Sequence, residues 1–254
     1  MTTVLSARAS RLRTYNLVMG GLHAIQGIVV LLMANAFALP VTAVFLEGQP
    51  GAGIDTGVTT LFEIRVAWGV AAFLFLSAIA HFVIVSPGVY DWYLRNLSKN
   101  RNYARWIEYS LSSSLMVVLI AQLTGIYDVA ALGAIFGVNA MMILFGLLQE
   151  HYEEPGSGRW MPYWFGVLAG IVPWLLIGLY LWSPSTSESP PAFVFAIFIS
   201  LFVFFNTFAV NQVLQYRKVG KWADYVYGEV VYIFLSLTAK SLLAWQIFGS
   251  TLQL

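Results

Sequence analysis

Apolar residues in this chain gather into seven long runs, and polar residues are mostly confined to the gaps between them. The runs cover roughly residues 15–38, 64–86, 104–125, 128–150, 161–183, 191–215 and 229–250. Each is about 20 residues or longer, enough helix to cross a hydrocarbon layer about 30 Å thick. Most are apolar on every face, whereas a surface helix of a soluble domain keeps one polar face. The pattern predicts an all-α membrane protein, a single seven-helix transmembrane domain over residues 1–254. There is no internal repeat, and no linker divides it. Arg8, Arg11 and Arg13 precede the first run, and "ANA" at Ala34–Ala36 has the spacing of a signal-peptidase site. That run is long for a signal peptide and reads as the first span.

The longest gap, about 39–63, is "VTAVFLEGQPGAGIDTGVTTLFEI" for most of its length. Two β-branched stretches flank a Gly/Pro centre. That favours a short β-hairpin, and an irregular loop fits the same residues equally well.

Composition agrees with the runs. Of 254 residues, 59% are hydrophobic and 10% charged, against about 25% charged in soluble domains. Net charge is +1, so nothing favours nucleic acid as a partner. Without cysteine, disulfides, thiolate metal sites and cysteine nucleophiles are excluded.

Charge also predicts orientation. Eleven of the lysines and arginines fall before the first span or in the second, fourth and sixth gaps, and Arg65 alone falls on the other side. Lysine and arginine accumulate on the cytoplasmic side, so the N-terminus is expected inside the cell and the C-terminus outside.

Ionisable residues within the spans narrow the chemistry, because each costs several kcal/mol unless paired or hydrated. Lys240 lies 11 residues past Glu229, about 16 Å into the bilayer. The carboxylate placed to meet it is Glu108, in "RWIEYSLSSS". Helix side chains lean toward the N-terminus, which tilts Lys240 toward Glu108's side. Ser236, four residues earlier, shares its face. His23, Gln26, His81 and Ser112 gather in the same half, with Asn139 and Asn206 deeper. A lone serine or histidine in a membrane is ordinarily a packing or backbone-bonding residue; the clustering makes these candidates. The other half carries no acidic or basic residue from Leu115 to Ile126, from Ala130 to Val138 or from Ser241 to Leu254. A proton pump needs titratable groups on both sides of its switch, so the pattern speaks against pumping and leaves a gated leak open.

Three readings of Lys240 compete. It is half of a structural ion pair with Glu108, although desolvation can exceed the gain from such a pair. It is a coupling cation of a transporter, although Pro173 is the one candidate helix break and no inverted repeat accompanies it. Or it is a nucleophilic amine that forms a Schiff base with an aldehyde cofactor, with Glu108 as anion and Met116, Met142, Trp164, Phe205 and Trp245 as candidate cavity walls. An intramembrane hydrolase has little support, since the chain has no HExxH.

The local sequences "ARWIEYSLSSSLMVVLIAQ", "AIFGVNAMMILFG", "PYWFGVLAGIVPW", "SLTAKSLLAWQIF" and "NAFALPVTAVFLEG" resemble heliorhodopsins, as do His23 with Gln26, and His81. The resemblance runs through all seven spans. It does not extend to the ordinary microbial pumps, whose third span carries two carboxylates; here serines follow Glu108. It implies a rhodopsin-like fold with an extracellular strand pair and a non-enzymatic photoreceptor. It also implies all-trans retinal as a Schiff base on Lys240, with Glu108 as counterion and Ser236 beside the linkage. Ser112, Met116, Asn139, Met142, Trp164 and Phe205 match the retinal pocket or its hydrogen-bond network, and His23 and His81 match a cytoplasmic polar cavity. Further implications are inverted orientation, a homodimer, a slow photocycle without ion transport, and output to a cytoplasmic partner. The loops with Arg95–Arg105 and with Glu150, His151, Glu153 and Glu154 are candidate partner surfaces, or simply solvated charge. A light-gated proton channel and a retinal-free transporter remain as alternative functions.

Overall fold

The structure is a computed structural model describing residues 2–46, 48, 49, 57–182 and 189–251, with side chains from Arg8 to Ser250. The chain forms α1 (Thr2–Leu32), β1 (Ala38–Val44), β2 (Val58–Arg65), α2 (Val66–Ile84), α3 (Val89–Leu97), α4 (Tyr103–Leu123), α5 (Val129–Tyr152), α6 (Met161–Leu181), α7 (Ala192–Tyr216) and α8 (Tyr225–Thr251). All but α3 are long and apolar enough to cross a membrane, giving seven spans among the described residues. The protein is a multi-pass membrane protein.

The first span departs from its apolar run. Helix α1 begins a dozen residues earlier and stops at Leu32. There the Asn35 side chain accepts from the Phe37 amide at 3.1 Å, a local turn that competes with helix and delivers Pro40 into a strand. The helix α3 was not visible as an element in the hydrophobic runs, because its nine residues bury only Tyr93 and Leu97.

Strands β1 and β2 pair antiparallel from Ala38↔Arg65 to Val44↔Val58, with an irregularity between Val41 and Thr42. Of the two readings of the long gap, the strand pair is the one that forms; its tip, Glu47 and Pro50–Thr56, lies outside the described residues. β1 has a reason to be a strand: Leu39, Val41 and Ala43 are buried at alternate positions, the period of a half-buried strand. β2 is exposed along almost its whole length. The hairpin is fastened to the bundle by Thr42 N donating to Tyr127 O (2.9 Å) and Gln122 Nε2 to Pro40 O (3.3 Å).

Helix α4 is the most buried of the spans and α7 the least. The main apolar core lies on the hairpin side, where Phe73 and Leu74 meet Val117, Leu119 and Ile120, and Leu201 and Leu243 close the layer. A smaller core around Leu12, Ile84, Tyr93 and Ile233 lies at the opposite, basic end.

A buried amine, its carboxylate and an apolar cavity

Helix α4 puts Arg105, Glu108, Ser112 and Met116 on one face by three- and four-residue steps. Asn102 starts it, its side chain accepting from the Arg105 amide. Helix α8 brings Lys240 to that face. Lys240 Nζ donates to Glu108 Oε1 and to Ser236 Oγ, both at 2.9 Å, and lies 5.0 Å from the Tyr109 ring centroid. Ser77 of α2 donates to the same Glu108 oxygen at 2.6 Å. The lysine is 3% exposed, so its charge is held by these partners rather than by solvent.

Beyond the pair, His23 and His81 are buried and stacked, with centroids 5.7 Å apart. His81 Nδ1 bonds Asn16 Oδ1 at 2.8 Å, whereas neither His23 nitrogen has a partner among the described residues. A cavity of about 20 Å³ touches Glu108, Ser77 and His81 on one side and Asn102, Arg105 and Glu229 on the other. That is room for about one water.

On Lys240's other flank a cavity of about 220 Å³ runs between α4, α5, α6 and α7. Its walls include Met116, Met142, Phe205 and Trp174, and Ser112, Ser236 and Lys240 supply polar edges. Trp174 stands edge-on to Phe198, Phe202 and Phe205, with centroids 5.4–5.5 Å away.

Other sequence candidates fall elsewhere. Trp164 is 63% exposed and is not on the wall; it faces outward from α6, and Trp174 stands where it was expected. Trp245 also faces outward, its indole donating to Gln26 Oε1 at 3.0 Å. Gln26 therefore clips α1 to α8 instead of joining the histidines. Asn139 is buried but off the wall, donating to Ser113 and Ser114 Oγ at 3.0 Å each.

Two charges assigned to loops are interior. Arg105 does not snorkel: it is buried in ion pairs with both Glu150 and Glu229. Glu150 is likewise no solvated loop charge, being 3% exposed. It also accepts from Trp106 Nε1 (2.7 Å), the Asn102 amide (3.0 Å) and Tyr225 OH (3.0 Å). Glu229 accepts from Asn102 Nδ2 (2.6 Å) and Tyr93 OH (3.2 Å). Burial first, and Glu229 second, push the Tyr93 phenol well above its usual range, so it remains a donor at physiological pH. The missed signal was the coincidence of Arg105, Glu150 and Glu229, each one turn or less inside a span's basic end.

The comparisons fit this arrangement. A light-driven proton pump, LR (Mac), from Leptosphaeria maculans superposes with a TM-score of 0.67 over 95% of this chain and 96% of its own, at 14% identity. At that identity the likeness shows the rhodopsin fold alone. No curated protein matches. The heliorhodopsin family matches residues 12–252, nearly the whole sequence and every span. On that extent of match, the chain belongs to the heliorhodopsin family, whose members are retinal proteins of the membrane.

Proposed function

We propose that the protein is a light sensor carrying all-trans retinal covalently on Lys240 as a protonated Schiff base, with Glu108 as counterion and no net ion pumping. The observation that carries this reading is the buried Lys240 amine, 2.9 Å from a carboxylate and on the edge of an aromatic and methionine-walled cavity. The residues fit such a group: a long apolar chain needs that wall, and a charged nitrogen needs that anion. Bound there, retinal would supply visible absorption and a light-driven change of shape.

The chain's own residues do the rest. Glu108 holds the positive charge at the Lys240 nitrogen, Ser77 fixes the orientation of Glu108, and Ser236 accepts from the nitrogen. Glu108 and the His23–His81 pair are the groups that can take a proton from that nitrogen. On the hairpin side, Leu119, Ile120, Leu243 and Ile247 are buried, and beyond Met116 the one buried polar side chain among the described residues is Gln122. A proton that leaves therefore returns by the way it went, and the cycle resets without transport. The charge asymmetry supports an N-terminus in the cytoplasm. We read the assembly as a homodimer that signals to a cytoplasmic partner.

The experiment is an absorption spectrum after addition of all-trans retinal to wild type and Lys240→Ala. A visible band in wild type alone is the expected result. No band in either protein would leave Lys240 as an ion-pair residue and end the photoreceptor reading.

A further inference from the structure

The two loops marked in the sequence as candidate partner surfaces meet at the basic end of the bundle. With Arg159 and Lys218 they line one open cleft of about 490 Å³. Its floor is Glu150, so the cleft lies on the far side of the Arg105 ion pairs from Lys240. We propose that this cleft is a binding site for a small phosphate-bearing anion.

Charge is the first argument. Lys99, Arg101, Arg159 and Lys218 face three carboxylates across the cleft. Two of these are already committed, Glu150 to Arg105 and Glu153 to Arg159. Among the described residues neither the Lys99 nor the Lys218 ammonium has a hydrogen bond or ion pair. Arg101 gives one Nη2 bond to His151 O at 2.9 Å, and the remainder of its guanidinium fork is uncommitted. The uncommitted groups are three cations, Lys99, Arg101 and Lys218, against the one carboxylate of Glu154, and the cations come from two separate segments. An anion with several oxygens can reach all three, and ammonium and guanidinium groups are the side chains that bind phosphate.

Backbone geometry is the second argument. Asn100 (φ 56°) and Lys218 (φ 52°) are the two non-glycine residues with positive φ among the described residues, and both line this cleft. Each follows a helix end of the same design. Arg101 N reaches Asn96 O and Asn100 N reaches Leu97 O after α3; Val219 N reaches Leu214 O and Lys218 N reaches Gln215 O after α7. Glycine is the ordinary residue at that position, because a Cβ is disfavoured there. Helix α7 keeps a lysine at a place suited to glycine, and its ammonium lies over Gly156, whose amide donates to Tyr216 O at the end of the same helix. Residues held in such conformations concentrate at binding sites.

Dissolved phosphate compounds and phospholipid headgroups share this chemistry. The test is calorimetric titration of inorganic phosphate into the full chain, without retinal, in phosphatidylcholine nanodiscs. Wild type is expected to bind saturably, and Lys99→Ala and Lys218→Gly to bind at least fivefold more weakly. Lys218→Gly relieves the positive φ, so its melting temperature should equal or exceed wild type, which separates lost binding from lost fold. Phosphatidylglycerol in the nanodisc distinguishes the sources. If it competes with phosphate, the natural occupant is a headgroup; unchanged affinity points to a dissolved compound. No saturable binding by wild type, undiminished binding by Lys218→Gly, or equal binding of chloride would each overturn the proposal.

Discussion

Glu108 carries a full charge in a layer where its other neighbours are hydroxyl groups and rings, so one substitution tests its role. An anion beside the Lys240 nitrogen favours its protonated form, and a neutral amide in the same place does not. Glu108→Gln is therefore expected to shift the retinal band to longer wavelength, or to lose the protonated pigment at a markedly lower pH than wild type, in an absorbance titration. An unshifted spectrum and titration would remove Glu108 as counterion. The two tryptophans of α6 give a paired comparison. Trp174→Ala opens a hole among three phenylalanines and should cost about 3 kcal/mol, seen as faster thermal bleaching. Trp164→Ala, at an outward-facing site, should stay within about 0.5 kcal/mol. Lys240 with Glu108 was legible from depth and helix lean alone. The choice between Trp164 and Trp174 was not, because in a span apolar on all sides hydrophobicity no longer marks which face is inward.

At the scale of elements, α4 and α5 are brought together by Gly146. A Cβ there would run into the Trp106 ring, and that ring is fixed by its bond to Glu150. Gly146→Ala should overpack the contact and cost about 2 kcal/mol. Gly21→Ala on α1, with nothing within 4 Å, should not lower the melting temperature. Arg105→Ala leaves Glu150 and Glu229 buried without their cation, a loss of about 3–5 kcal/mol that a melting curve would register. Seven spans were readable because lipid imposes length and apolarity on each. Their ends were less so: Asn35 ends α1 early through a hydrogen bond, not through polarity. Glu150 looked like loop charge because a carboxylate near a span's end usually meets water, and its partners Arg105 and Tyr225 lie 45 and 75 residues away in sequence.

For the whole molecule, the distribution of buried charge sets the expectation for transport. Every buried ionisable group among the described residues lies at the level of Lys240 or toward the basic end. Illumination under voltage clamp should therefore give no sustained current, and a steady photocurrent would restore the channel reading. Helix α4 is held at both extremities, by the Arg105 ion pairs at one and by Gln122 beneath the hairpin at the other. A rod pinned at both ends can bow or turn but cannot slide. Movement near its middle would have to be taken up by its neighbours, and α7 is the least buried of the spans. For the photocycle proposed above, the bilayer would then act as a mechanical load: a stiffer or thicker membrane should slow the recovery of the dark state without altering its colour.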